Sequence, residues 1–176
     1  MSKVAITATQ GNIVAQVDCD GVVNAANELL IAGAGVCDAI HAAAGPKLEP
    51  YIKHFAPLQL GDTIASPGFE MKARLIIHVR GPRYFEDDDP PGNLAKAVRS
   101  AILLADEIDI ERLAVPAIST GIYGYPPEEA VPIMVATAFE LSSHLTSLRE
   151  IRFVVMDGRV LVLFADAFRG AHSGAN

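Results

Sequence analysis

The stretch VVNAANELLIAGAGV, residues 22–36, joins a short apolar segment to a loop of small residues. From Val36 onward apolar residues recur at helical spacing, so the stretch predicts a strand, a glycine-rich turn and a helix. Gly33 and Gly35 permit φ > 0 and allow a ligand to approach the backbone closely. Unpaired N–H groups and the dipole at the start of a helix favour an anion there. A plain strand-to-helix turn remains an alternative interpretation.

A second loop of the same kind, AISTGIYGYP, spans residues 117–126 and contains two glycines and no cationic side chain. Ser119 does not lie in a G-x-S-x-G elbow, which disfavours a nucleophilic serine. Hydrogen bonds to a charged group contribute about 1.5–3 kcal/mol each. We therefore expect the backbone N–H groups of the two loops to hold a diphosphate together.

Two familiar nucleotide motifs do not fit the first loop. A dinucleotide fingerprint needs a third glycine where Asp38 stands, and an acid about 20 residues further on, near Phe55, where none is found. A triphosphate P-loop needs Gly-Lys-Ser/Thr, yet no Lys or Arg lies between Lys3 and Lys47.

Predicted strands and helices alternate along most of the chain. The predicted strands are 4–9, a segment ending at 24, 62–66, 74–79, 112–118 and 151–156. The predicted helices are one from 36 to the Gly-Pro at 45–46, a second ending near 55, and 94–106, 128–143 and 160–168, with a loop at 81–92. The alternation predicts an α/β layered fold with a largely parallel sheet, in which ligands bind at the carboxyl ends of the strands. We expect one domain over 1–170 and a flexible tail over 171–176.

Composition narrows the class of protein. The 176 residues are 51% hydrophobic and 20% charged, which is typical of one globular domain. The net charge of −7 and the scattered Lys and Arg argue against nucleic acid as the main partner. Because no secretory segment or spanning apolar run is seen, we expect a cytoplasmic protein that does not bind membranes. We also expect a monomer. Cys19 and Cys37 form no CxxC pair, so we expect no metal and no cofactor.

Five segments, taken in order, resemble the macro domain family. They are Gly-Asn-Ile at 11–13, Val-Asn-Ala-Ala-Asn at 23–27, the first loop and helix at 33–45, His-Val-Arg-Gly-Pro at 78–82, and 118–126. The resemblance covers about residues 3 to 168. It implies a three-layer α/β/α macro domain with a mixed, largely parallel central sheet and a cleft for ADP-ribose.

The resemblance also implies roles for single residues. Asn12 would contact the adenine amino group, Asn27 would hydrogen-bond the distal ribose, and Tyr123 would pack near that ribose. The implied catalytic residues are Asn27, His41 and Tyr123. The implied ligand-binding residues are Asn12, Ile13, Asn24, Asn27, Gly33, Ala34, Gly35, Val36, Ser119, Thr120, Gly121, Ile122, Tyr123 and Gly124.

Relatives of this kind remove mono-ADP-ribose from Asp or Glu side chains or deacetylate O-acetyl-ADP-ribose. The expected partners are therefore ADP-ribose or ADP-ribosylated proteins. A non-catalytic reader of ADP-ribose is the main alternative, and a domain for another phosphorylated metabolite or for RNA ends is a third; the net charge of −7 disfavours RNA.

Two positions depart from the family pattern. Asn12 stands where most members carry Asp, and without charge assistance it should bind an amino group more weakly. Cys37 stands where the MacroD-type hydrolases carry Asp, and Asp38 is one helical step, about 100°, away. Some viral macro domains with hydrolase activity share the Cys. Cys37 and His41 are four residues apart, which allows either a Cys–His nucleophile pair or a buried thiol beside a structural His.

Overall fold

Six strands form one mixed sheet in the computed structural model, which describes residues 4–173. The strands are β1 Ala5–Gln10, β2 Gly21–Ala25, β3 Thr63–Pro67, β4 Leu75–Val79, β5 Arg112–Val115 and β6 Glu150–Val155. The helices are α1 Val36–Ala44, α2 Leu48–Ile52, α3 Pro90–Glu107, α4 Pro127–Leu141 and α5 Gly158–Ser173, and 3₁₀ turns lie at Ile13–Ala15 and Lys53–Phe55. The sheet order is β1-β6-β5-β2-β4-β3, and every neighbouring pair is parallel except β3 with β4. The predicted α/β class and the mixed, largely parallel sheet are confirmed.

Helices cover both faces of the sheet. In β2, Val23 packs into the core shared with α3, α4 and α5, whereas Val22 packs into the core shared with α1 and α2. In β6, Phe153 packs into the core with α3, α4 and α5, and Val154 packs into the core with α1 and α2. Because successive side chains of a strand point to opposite faces, a strand buried on both faces must be apolar throughout. The result is the three-layer α/β/α arrangement.

Helix α3 begins at Pro90, inside the segment predicted to be a loop. The Asp89 carboxylate accepts a hydrogen bond from the Gly92 N–H and caps the helix, and proline is well suited to a first helical position. At the other end of the chain α5 extends to Ser173, past the predicted end at 168. Part of the predicted tail is therefore helical, and its last residues, 174–176, lie outside the described residues.

Strand β5 ends at Val115 instead of the predicted 118. Pro116 has no N–H with which to continue the ladder, and the Ile118 N–H turns back to the Pro116 carbonyl at 2.9 Å. The second glycine-rich loop therefore leaves the sheet earlier than the apolar pattern predicts.

The order of the strands places a crevice between β2 and β5. These strands pair at Gly21↔Leu113 and Val22↔Ala114 and then part. From β2 the chain proceeds to β3 and β4 on one side of the sheet, and from β5 it proceeds to β6 on the other. A reversal of this kind is a topological switch point, where ligands of open α/β sheets bind. Both glycine-rich loops start here.

A single carboxylate holds the segment that leads into β6. Asp106, near the end of α3, accepts hydrogen bonds of 2.8–3.0 Å from the N–H groups of Thr146, Ser147 and Leu148. Burial raises the pKa of Asp106, but these N–H groups outweigh burial and hold the pKa below its usual range. The ionised carboxylate is thus the form that the fold stabilises.

We expect Asp106→Ala to lower the free energy of unfolding by about 2 kcal/mol at pH 7, because it removes hydrogen bonds to a charged group. Since the folded-state pKa is depressed, this stabilisation is complete above the unfolded-state pKa of about 3.9 and is lost as the pH falls below it. Urea unfolding should show a smaller difference in the free energy of unfolding between wild type and variant at pH 3 than at pH 7. The exposed neighbour variant Glu107→Ala serves as the control, and an equal cost of Asp106→Ala at both pH values would contradict the prediction.

Candidate functional site

A cleft of about 560 Å³ lies at the carboxyl edge of the sheet, where β2 and β5 part. A volume of this size is typical of small-molecule sites. Segments at the ends of all five parallel strands form its walls. After β1 these are residues 11–13, and after β4 residue 81. The end of β2 and the loop that follows it contribute 25–27, 33–37 and 39. The segment after β5 contributes 116–123 and 127, and the end of β6 and the start of α5 contribute 154–157 and 160.

Most of the predicted ligand-binding residues meet in this cleft. They are Asn12, Ile13, Asn27, Gly33, Ala34, Gly35, Val36, Ser119, Thr120, Gly121, Ile122 and Tyr123. The structure thus brings the two glycine-rich loops to one cleft. Their individual contacts with a ligand remain predictions.

Asn24, His41 and Gly124 do not line the cleft, and the roles predicted for them stay predictions. Asn24 is fully buried in the ladder of β2, and His41 is buried on the inner face of α1 with its Nδ1 4.0 Å from the Glu49 carboxylate. Gly124, at φ 72°, lies in a neighbouring hollow beside Phe85. We infer that Asn24 and His41 support the cleft from behind.

Asn24 belongs to a neutral chain of buried polar groups. Ser66 Oγ donates to the Pro67 carbonyl at 3.1 Å, so His78 Nε2, 2.9 Å away, carries the hydrogen that Ser66 accepts. His78 Nδ1 then accepts from Asn24 Nδ2 at 3.1 Å. Burial lowers the pKa of His78 to about 3, so the ring is neutral at pH 7. Asn24 Nδ2 also reaches Cys37 Sγ at 3.9 Å, which connects this chain to the cleft wall.

Cys37 is a buried thiol and not an activated nucleophile. Its Sγ donates to the Ile31 carbonyl at 3.5 Å, and burial raises its pKa, so the unreactive thiol form dominates. Burial also lowers the pKa of His41. Within residues 4–173 no hydrogen bond joins Cys37 to His41, and both cysteines, including Cys19, are free. Asp38 is exposed and does not line the cleft, so it does not replace the acid absent at position 37.

Asn27 and one glycine shape the first loop. Gly35 has φ 59° at the start of α1, a conformation that favours glycine, whereas Gly33 does not have positive φ. A side chain at Gly33 would instead approach Asn27 Nδ2 to 3.2 Å. Asn27 donates to the Ile31 carbonyl at 2.8 Å and accepts from the Ile31 N–H at 3.2 Å, so its amide fixes the loop. The N–H groups of 34–36 have no hydrogen-bond partner in the described chain.

The second loop holds a buried hydroxyl without a partner. Ser119 has φ 66°, and its Oγ is buried with no hydrogen bond to any described residue. The N–H groups of 121–123 are likewise unpaired among residues 4–173, while the Tyr125 N–H closes the loop onto the Ser119 carbonyl at 2.9 Å. A buried polar group without a partner costs about 1–3 kcal/mol. Because the N–H groups of both loops are unpaired among the described residues, the site is suited to a ligand with several acceptor oxygens.

Sequence reasoning missed two charged groups at this edge. Arg80 directly follows β4; it is buried, and its guanidinium donates to the Leu58 carbonyl at 3.1 Å. Burial raises the pKa of Tyr123, and Arg80 and Arg83 act in the opposite direction. Asp157 follows β6 and lines the cleft. Arg80 comes directly after a parallel strand and Asp157 two residues after one, positions that could have identified them.

Residues 4–173 contain neither a candidate metal cluster nor a candidate membrane-spanning helix. No three His, Cys, Asp or Glu side chains come close enough together to hold a metal ion. No helix there has the length and apolar character required to cross a membrane.

Comparison with protein families and curated proteins gives a consistent result. The family model described as Macro domain matches residues 23–134. A macro domain-containing protein of Ralstonia nicotianae is 40% identical over 154 residues, covering 87% of this chain and 88% of that protein. A Salmonella gallinarum protein named O-acetyl-ADP-ribose deacetylase is 35% identical over 161 residues, covering 89% of each.

Solved structures share the fold over nearly the whole chain. The Oceanobacillus iheyensis macrodomain with ADP superposes with a TM-score of 0.89 at 29% identity, covering 95% of this chain and 91% of that one. The Trypanosoma brucei macrodomain in complex with ADP-ribose superposes with a TM-score of 0.83 at 30% identity, covering 93% of this chain and 68% of that one.

Gly81 and Gly121 provide a matched test of how the second loop is packed. A Cβ at Gly81 would overlap Ser119 Oγ and Ile118 Cγ2, whereas one at Gly121 would meet nothing within 4 Å. We expect Gly81→Ala to lower the free energy of unfolding by about 1–3 kcal/mol through overpacking. Gly121→Ala should leave it within about 0.5 kcal/mol of wild type. Equal effects in denaturant unfolding would show that Gly81 does not support the loop.

Proposed function

The chain belongs to the macro domain family, and on that premise we propose that it binds ADP-ribose and hydrolyses carboxylate esters of it. The esters are those that join ADP-ribose to a protein Asp or Glu side chain, or to acetate. The observation that carries the proposal is the pair of opposed loops, 33–36 and 119–123, which present unpaired N–H groups at the switch point of the sheet.

The diphosphate would lie between these loops. Six N–H groups, those of 34–36 and of 121–123, would then donate to its oxygens. Hydrogen bonds to a charged group are worth about 1.5–3 kcal/mol each, so such a site needs no Lys or Arg. The distal ribose would lie beside Asn27 and Tyr123, which line the cleft on opposite loops.

Hydrolysis of the ester would depend on how the attacking water is positioned. The oxygen of water forms a bond to the acyl carbon, the bond from that carbon to the ribose oxygen breaks, and the ribose oxygen takes the proton. Burial keeps Cys37 and Tyr123 protonated, so neither is a general base at pH 7. We propose that a diphosphate oxygen of the substrate and Asn27 orient the water, because correct orientation alone can supply several kcal/mol of the barrier.

The resemblance to the Salmonella gallinarum protein supports the choice of an ester, since its name specifies removal of an acetyl group from ADP-ribose. The acetyl ester and the protein Asp or Glu ester share the same bond to be broken. A substrate with either acyl group therefore fits the proposed chemistry.

A non-catalytic reader of ADP-ribose is the second candidate, and one observation favours it. The ionisable residues that line the cleft are Cys37, Tyr123 and Asp157; burial keeps the first two neutral, and Asp157 is engaged by Arg159 at 2.9 Å. A cleft without a free base can bind ADP-ribose without turning it over.

The proposal predicts release of ADP-ribose from a protein mono-ADP-ribosylated on Glu or Asp. Asn27→Ala and Tyr123→Ala should each reduce the rate by about 100-fold, because small misplacements of the reacting groups have effects of that order. Released ADP-ribose would be quantified by chromatography over time.

Asn93→Ala and Tyr51→Ala are matched controls, since both residues lie outside the cleft. Binding of free ADP-ribose by calorimetry without any release would replace the hydrolase with a reader. Neither release nor binding would show that the ligand assignment is wrong.

A further inference from the structure

A second, smaller space adjoins the cleft, and we call it the side hollow. It has a volume of about 370 Å³ and is formed by residues 83, 85 and 86 of the loop after β4 and residues 122–124 of the second glycine-rich loop. Ile122 and Tyr123 line both the cleft and the side hollow, so the two spaces share a wall. Because the distal ribose would lie beside Tyr123, a group attached to that ribose can extend into the side hollow.

Two large apolar side chains line the side hollow and are mostly exposed. Phe85 is 85% exposed and Ile122 is 78% exposed. Single exposed apolar residues are common on protein surfaces, but two that line one concave space form a surface on which a partner can bury apolar area. The side hollow therefore suits an apolar side chain.

The aromatic ring of Phe85 is held in place by its neighbours. It packs edge-to-face on Tyr84 with 5.0 Å between ring centroids, and Tyr84 in turn packs on the buried ring of Tyr125 at 4.8 Å. The Tyr84 N–H also donates to the Tyr123 carbonyl at 2.9 Å. Because these contacts fix the loop, less freedom is lost when a partner packs on Phe85.

The charged groups at the side hollow leave it with an excess of negative charge. Arg83 Nη1 lies 2.8 Å from the Glu86 carboxylate, and Arg83 Nη2 lies 3.1 Å from that of Asp87. One guanidinium thus faces two carboxylates, and Asp88 and Asp89 follow directly in the chain. Charge complementarity favours a basic side chain in the partner and disfavours an acidic one.

A polypeptide is the substrate group that can occupy this space. When ADP-ribose is esterified to a protein Asp or Glu, the neighbouring residues of that protein lie next to the distal ribose, whereas an acetyl ester carries no such residues. We propose that the side hollow binds the polypeptide part of an ADP-ribosylated protein and selects segments with an apolar and a basic residue beside the modified one. The inference rests on the proposed function, because it assumes that the distal ribose lies beside Tyr123.

Calorimetric titration of free ADP-ribose and three peptides tests the inference. Each peptide carries ADP-ribose on a glutamine amide in place of a glutamate ester, so that no ester is present to be hydrolysed. The modified residue is flanked by Leu and Lys, by Gly and Lys, or by Leu and Glu. The proteins are wild type, Phe85→Ala, Phe85→Leu and the control Phe55→Ala, which removes an exposed aromatic side chain that lines neither the cleft nor the side hollow.

Wild type should bind the Leu–Lys peptide about tenfold more tightly than the Gly–Lys peptide, because the leucine buries apolar surface against Phe85 and Ile122. It should bind the Leu–Lys peptide about threefold more tightly than the Leu–Glu peptide, since an exposed charge has a small effect. Phe85→Ala should bind the Leu–Lys and Gly–Lys peptides within about twofold of each other and should bind free ADP-ribose as wild type does. Phe85→Leu and Phe55→Ala should keep the preference for leucine.

Equal binding of the Leu–Lys and Gly–Lys peptides by wild type, or a preference that Phe85→Ala retains or Phe55→Ala loses, would overturn the inference and leave the proposed function intact. Binding of the Leu–Glu peptide as tightly as the Leu–Lys peptide would overturn the selection of a basic residue. Failure of all four proteins to bind free ADP-ribose, each shown to be folded by its thermal unfolding transition, would overturn the proposed function and this inference with it.

Discussion

The parting of β2 from β5 is the constraint on which the rest of the site depends. The two strands share only the pairs Gly21↔Leu113 and Val22↔Ala114, after which each runs into its own glycine-rich loop. Had the ladder continued, backbone N–H and C=O groups would have paired with one another and left no space. Because it stops, the N–H groups at 34–36 and 121–123 face a common cleft. The apolar strands, buried on both faces, hold this opening in place.

The loops after β4 and β5 pack against each other and together form one wall of the cleft. Gly81 packs directly on Ser119 and Ile118, and the Tyr84 N–H donates to the Tyr123 carbonyl at 2.9 Å. The backbone of the second loop is therefore braced from behind by a segment that makes little contact with the cleft itself. This bracing accounts for the positive φ of Ser119, since a strained conformation persists only where its surroundings determine it.

The sequence allowed the fold class and the position of both loops to be predicted, because alternating elements and paired glycines carry that information directly. It did not indicate that Asn24 and His41 lie outside the lining of the cleft, because those placements depend on single-residue register. Strand β2 continues one residue past Asn24, to Ala25, so Asn24 lies in the ladder and not in the loop. His41 shares the inner face of α1 with Ile40 and Ala44. Such one-residue differences depend on tertiary packing, and periodicity does not resolve them.

The neutrality of the two loops has a kinetic consequence for any anionic ligand. A site built from Lys and Arg attracts anions over long distances and weakens as salt is added. Here the short-range N–H groups bind the anion, while the whole chain carries a net charge of −7 that repels it on approach. Salt at about 0.1 M reduces the range of that repulsion to about 10 Å. Association with an anion should therefore accelerate as ionic strength rises, while dissociation changes little, so that the complex is tighter in physiological salt than in dilute buffer.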